Sequence, residues 1–178
     1  YLDVKKYSQK YNYGQLSGRN LEDTVEGTRD LEKQTEKKNP VDFAIWKKAN
    51  PEHINFMMKE GRGLICMPIV AETAKRLKLN PMVPTNTALH ETNFTISVDA
   101  IKNATTGISA KDRWETVQVI LNEKSIPEDL GRPGHTFPLI SKPGGVLQRA
   151  GHTEAAIDLA ILADLKPAAL LVEIVDED

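Results

Sequence analysis

The stretch Arg149-Ala-Gly-His-Thr-Glu-Ala-Ala-Ile-Asp-Leu159 places a cation, a glycine, an imidazole, a hydroxyl and a carboxylate at the start of an apolar run. With Thr153 as its cap, a helix starting here leaves unpaired N–H groups and the positive end of its dipole facing Arg149 to His152. Such a helix start, with Gly151 before it and Arg149 beside it, suits a phosphate. His152 and Glu154 then stand close by as a metal ligand or a proton carrier. The plain alternative is a capped helix with a surface histidine.

Other chemistry-bearing residues fall in loops and at strand ends. Gly61-Arg-Gly63 precedes Cys66. Asn103-Ala-Thr-Thr-Gly-Ile-Ser109 offers the hydroxyls of Thr105 and Thr106 and a flexible Gly107, which suits a polar ligand. Gly131-Arg-Pro-Gly-His-Thr-Phe137 is expected to hold His135 in a rigid, exposed turn. Glu173 interrupts the last apolar run, where a buried carboxylate is costly unless paired and is a candidate base with a raised pKa. Each has a plainer reading: Cys66 as a small buried hydrophobe, His135 as a turn histidine, the threonines as turn formers.

The elements that must position these residues follow from pattern. Leu64 to Val70 reads as a strand followed by a helix, Ala71 to Leu77. Thr92 to Asp99 alternates with period two, so Phe94, Ile96 and Val98 are expected on one buried face. Ser109-Ala-Lys-Asp112 resembles a capping box opening a helix over Arg113 to Leu121. Pro138 to Ile140 and Gly145 to Leu147 are short strand candidates. The helix from Thr153 to Leu165 is apolar almost all round and so is expected to be buried. Ala168 to Val175 reads as a strand buried on both faces. Helices interspersed with strands indicate an α/β or α+β fold layered around one mixed sheet.

The chain has 178 residues, 40% of them hydrophobic and 27% charged, with a net charge of −2. That balance gives no bulk attraction to nucleic acid. One cysteine excludes an internal disulfide and a Cys-based zinc cluster, and suits a reducing, cytoplasmic setting. No run of about 18 apolar residues suggests a membrane span, and Tyr1 to Lys6 has no signal-peptide core. The absence of an initial Met and the acidic stop at Asp176-Glu-Asp178 give both ends the look of cuts. Residues 1–54 differ in composition: a polar run with a thin helical edge at Leu21, Val25 and Leu31, then an aromatic-bearing helix, Val41 to Ala49.

Within that lead, Gly14-Gln-Leu-Ser-Gly-Arg-Asn-Leu-Glu-Asp23 and Lys38-Asn-Pro-Val-Asp-Phe-Ala-Ile-Trp-Lys47 resemble an internal stretch of cysteinyl-tRNA synthetase. The nucleotide-binding motifs of that family are not present. From about residue 55 onward a second resemblance runs through Gly61-Arg-Gly-Leu-Ile-Cys66, Phe94-Thr-Ile-Ser-Val-Asp-Ala100, Thr105-Thr-Gly-Ile-Ser-Ala110 and Arg132-Pro-Gly-His-Thr-Phe-Pro-Leu139, ending in the Arg149 stretch. These are similar to 3,4-dihydroxy-2-butanone 4-phosphate synthase. The expected organisation is therefore a synthetase-like lead, 1–54, and a synthase-like domain, 55–178, incomplete at both ends.

The second resemblance implies a Mg²⁺-dependent lyase, with Mn²⁺ as an alternative, acting on ribulose 5-phosphate as a homodimer with its site at the interface. It implies that Arg149, Ala150, Gly151, His152 and Thr153 hold the phosphate, that His152 binds the metal, and that His135 and Glu173 act as acid and base. Cys66 and Thr106 would line the pocket. The family's acidic N-terminal loop has no counterpart in residues 1–54, which leaves His152 without a carboxylate partner. Two other functions stand beside the lyase: a phosphosugar-binding module without turnover, and, more remotely, a synthetase fragment.

Overall fold

The computed structural model describes residues 50–175. The helices read at Leu21 to Lys33 and Val41 to Ala49 lie outside the described residues. A division of the chain falls between Lys48 and Ala49.

The described part opens with α1, Pro51–Phe56. Proline at its first position needs no N–H partner there, and the Asn50 side chain accepts from the His53 N–H at 2.8 Å. Ile54 is fully buried, and helix α1 runs unbroken across residues 54 and 55, where the two segments were expected to meet. A π turn, Met57–Gly61, ends at Arg62, whose φ of 59° is left-handed, and the chain then enters β1, Cys66–Ile69.

Helix α2, Ala71–Arg76, follows directly. Strand β2, Val98–Ala100, leads to α3, Ala110–Leu121, and then to the long β3, Leu130–Ile140. The last helix is α4, His152–Leu162. The sheet order is β1-β3-β2, with β1 parallel and β2 antiparallel to β3, so the sheet is mixed as expected. Cys66 lies opposite Phe137 and Ile69 opposite Ile140.

All of β1 is buried. Met67 and Ile69 join Leu77, Val98, Val117, Ile120 and Leu130 in one core, which α2 and α3 close. Strand alternation turns Cys66 and Pro68 the other way, and α4 packs against β1 through an apolar edge that includes Ala156, Ile157 and Ala160. Arg76 ties the two core helices together: its guanidinium donates to the carbonyls of Ile120, Asn122 and Ser125 at the end of α3. No helix among the described residues is long and apolar enough to cross a membrane.

Several expectations are corrected. Gly145–Leu147 is a 3₁₀ turn, not a strand. Over Thr92 to Asp99 the fully buried residues are Thr95 and Val98, not an unbroken Phe94–Ile96–Val98 face; only isolated bridges form at 94 and 95. The helix read from Thr153 to Leu165 spans His152–Leu162, and Leu162 is 83% exposed, so its apolar circumference is covered on one side only. Ala168 to Val175 makes separate antiparallel bridges, 168 with 69, 171 with 66 and 174 with 62, rather than a continuous strand. Only Ala169 in that run is fully buried, because the segment covers one edge of β1 and, among the described residues, bridges to no second strand.

Candidate active site

Helix α4 starts one residue earlier than its sequence suggests. Gly151 is its N-cap, with no side-chain cap, so Thr153 is not the capping residue; it is buried in the first turn. His152 is the first helical residue and is exposed.

Arg149 is held on three sides. It donates from Nη1 to Glu154 Oε2 at 2.6 Å, from Nε to the His90 carbonyl at 2.9 Å and from Nη2 to Thr92 Oγ1 at 3.1 Å. Glu154 is 1% exposed, and its other oxygen accepts the Lys142 N–H at 3.0 Å. The sequence reading offered Glu154 as a metal ligand or proton carrier; the fold instead encloses it as the counter-ion of Arg149. Gly151 is required for this arrangement, since a Cβ there would sit 2.3 Å from Arg149 Nη1 and 2.9 Å from Glu154 Oε2. A guanidinium has five N–H groups, so two of those of Arg149 remain for an incoming anion.

His135 is not in a turn. It lies within β3, which contains a cis Arg132–Pro133 bond, and its side chain is 41% exposed. Its Nδ1 is 2.7 Å from Asp99 Oδ2, and its backbone N–H donates to Asp99 Oδ1 at 2.8 Å. Arg113 donates to the His135 carbonyl and, from Nε, to the Ile108 carbonyl at 3.0 Å. Burial lowers the Arg113 pKa, and the nearby Asp99 opposes that effect.

The 105–107 loop is fastened to the first turn of α3. Ser109 caps α3 as expected, accepting the Asp112 N–H at 3.1 Å. The Asp112 carboxylate accepts from the Thr105 N–H at 3.0 Å, the Thr105 hydroxyl at 2.8 Å and the Gly107 N–H at 3.1 Å. These bonds, those of Thr105 first, hold the Asp112 pKa at about 2. Thr106 itself is exposed at the tip of this loop.

Cys66 is buried, and burial first, then the negative charge of Glu173, push its thiol up to about 11. It is therefore a neutral wall residue at pH 7 rather than a thiolate nucleophile. Glu173 is exposed, which overturns its reading as a buried carboxylate. Its backbone lies against Gly63, where a Cβ would come within 2.4 Å of the Glu173 carbonyl oxygen.

Register decides which of these groups meet. Cys66 pairs with Phe137 on one side and Leu171 on the other, so His135 and Glu173, each two residues away, flank the entry of β1. Arg149 is anchored instead through Thr92 and Glu154, beyond Ile140 at the far end of β3. His135 precedes Ile140 by five residues, roughly 16 Å of strand. One chain thus places His135, Cys66 and Glu173 toward one end of β3 and Arg149 toward the other.

Asp99, Asp112 and Arg113 were not among the site residues expected from the sequence. The signals were present as a polar residue at the end of an alternating strand and as the third helical residue of a capping box. Among the described residues no group of three His, Cys, Asp or Glu side chains converges in the manner of a metal site.

The family model for 3,4-dihydroxy-2-butanone 4-phosphate synthase matches residues 33–178. The riboflavin biosynthesis protein RibBA of Cytophaga hutchinsonii is 60% identical over 129 residues, 72% of this chain and 32% of that protein. The protein of that name from Bacillus subtilis is 54% identical over 144 residues, 80% of this chain and 36% of the relative. The chain thus spans about a third of the length of these curated relatives. A crystal structure of a 3,4-dihydroxy-2-butanone 4-phosphate synthase in complex with two magnesium ions superposes with a TM-score of 0.70 at 42% identity, over 72% of this chain and 60% of that one. A two-domain synthase from A. baumannii gives 0.68 at 46% identity, over 73% and 38%. With the family match running over residues 33–178 and the mixed sheet shared with these neighbours, the chain belongs to the 3,4-dihydroxy-2-butanone 4-phosphate synthase family.

Proposed function

We propose that this chain is a lyase of riboflavin biosynthesis, converting D-ribulose 5-phosphate to 3,4-dihydroxy-2-butanone 4-phosphate and formate. The observation that carries the reading is the Arg149 seat. A buried carboxylate and a tight glycine hold a guanidinium with two N–H groups open, beside a helix N-terminus and the exposed His152. Such a seat fits the phosphate of a small sugar. The reaction begins with loss of a proton next to a carbonyl, which needs a base, and rearrangement then needs protons returned. His135 and Glu173 are the groups for that work, with Cys66 and Thr106 lining the pocket and Arg149 to Thr153, Ala150 and Gly151 included, binding the phosphate.

A sugar phosphate does not span from His135 to Arg149 of one chain. The register supports a homodimer in which the His135 of one copy serves the Arg149 seat of the other. Mg²⁺, with Mn²⁺ as an alternative, enters from the magnesium-bound neighbour. Among the described residues no three His, Cys, Asp or Glu side chains gather around the His152 imidazole, and a hard cation needs oxygen ligands. The donors among them do not fit, so no step is assigned to it. The lone cysteine supports a cytoplasmic setting. Residues 1–54 are read as the cysteinyl-tRNA-synthetase-like lead on the Gly14–Asp23 and Lys38–Lys47 motifs; the family match overlaps them from residue 33.

The test is formate release from ribulose 5-phosphate, with and without Mg²⁺, with His152→Ala as control. Formate that depends on His152 is expected; wild-type release no greater than that of the variant would overturn the lyase. The incomplete donor set favours a second reading, a module that binds the phosphosugar without turnover. It would show as Arg149-dependent calorimetric binding with no product.

A further inference from the structure

We infer that Asp99 is a positioning residue for His135: it fixes the imidazole with its proton on Nδ1 and presents Nε2 as the working nitrogen. This rests on the reading of His135 as an acid–base group. Both oxygens of Asp99 face His135, one taking the backbone N–H at 2.8 Å and the other lying 2.7 Å from Nδ1. An ionised carboxylate accepts at both oxygens, so the proton it shares with Nδ1 sits on the ring. The carboxylate is 16% exposed and the imidazole 41%, so the ring is open to solvent while its partner is largely covered.

The surroundings leave Asp99 little freedom. Gly107, at φ +90°, crosses directly over it; a Cβ at that position would lie 2.0 Å from Oδ2. Asp112 fastens that loop through the Gly107 N–H. From α3, Arg113 donates to the His135 carbonyl, fixing the strand from its other side. Asp99 is also opposite Gly131 in the sheet, at the irregularity between residues 98 and 99. That break in the ladder frees the Asp99 side chain to turn toward His135 rather than continue the strand pattern.

Geometry of this kind sets which tautomer exists before any substrate arrives. A fixed orientation leaves substrate binding unchanged and acts on the proton-transfer step, so its loss appears in kcat and not in KM.

Two measurements on the full chain test this. In the wild type, long-range ¹⁵N–¹H correlation spectra should show His135 with a protonated Nδ1 and an unprotonated Nε2 when the ring is neutral. In Asp99→Asn the amide can donate to Nδ1, so the proton should move to Nε2. Formate release should then fall on the order of 10²- to 10⁴-fold in kcat, with KM within a few-fold of wild type. Gly107→Ala, which displaces Asp99 without removing it, should shift tautomer and kcat in the same direction to a lesser extent; circular dichroism confirms that each variant folds. A wild-type His135 already protonated on Nε2, or an Asp99→Asn variant with unchanged tautomer and kcat, overturns the inference. Absence of formate from the wild type would remove the lyase reading, and the spectra alone would then decide whether Asp99 sets the ring.

Discussion

Arg149 and Glu154 show how a surface-looking motif becomes a built site. Neither residue's role is visible without the other: the guanidinium is ordered by a carboxylate five residues on, and that carboxylate is sealed from solvent. Removing one partner of a buried pair leaves an uncompensated charge, at a cost of about 3–5 kcal/mol. Arg149→Ala should therefore lower thermal stability as well as phosphosugar binding, whereas His152→Ala, at an exposed position, should leave the melting temperature near that of the wild type. Thermal melts of the two variants separate the roles; equal melting temperatures would show that Glu154 does not depend on Arg149.

At the level of elements, the first turn of α3 is the fastening point of the site. Asp112 gathers the 105–107 loop, and Arg113, the next residue, holds the strand of His135. With a folded-state pKa of about 2 against roughly 3.9 for an unperturbed aspartate, the carboxylate favours the folded state when ionised. The sign follows directly. A depressed pKa contributes stability that is fully present above about pH 4 and is lost as pH falls toward 2. Asp112→Asn should be less stable than wild type in urea unfolding at neutral pH, and the gap should narrow as the pH approaches 2. A gap that stays constant across that window would remove Asp112 from this role.

For the whole molecule, the proposed pairing of His135 of one copy with the Arg149 seat of another has a direct test. If each functional site draws His135 from one copy and His152 from another, two inactive variants can repair each other. His135→Ala and His152→Ala should each be inactive alone, while refolding them together should restore about a quarter of wild-type activity. Half of a random mixture is heterodimer, and each heterodimer has one intact site of two. No recovery in the mixture, with dimers present by analytical ultracentrifugation, would place both histidines in the same chain's site.

The sequence by itself determined the fold class, the Ser109 cap of α3 and a helix start just after Arg149 and Gly151. These follow from local patterns: a capping residue, period-two and helical runs, and a glycine beside an arginine. Only the tertiary structure decided that Glu173 is exposed, that Glu154 is enclosed with Arg149, and that His135 is bound to Asp99 rather than held in a turn. Glu173 was misread because an apolar run implies burial only when the sheet supplies neighbours on both sides, and here it covers a single edge of β1. The Asp99–His135 pair joins residues 36 apart in sequence. Local pattern carries no information about such a pair, because strand register and the break at residues 98 and 99 bring the two side chains together.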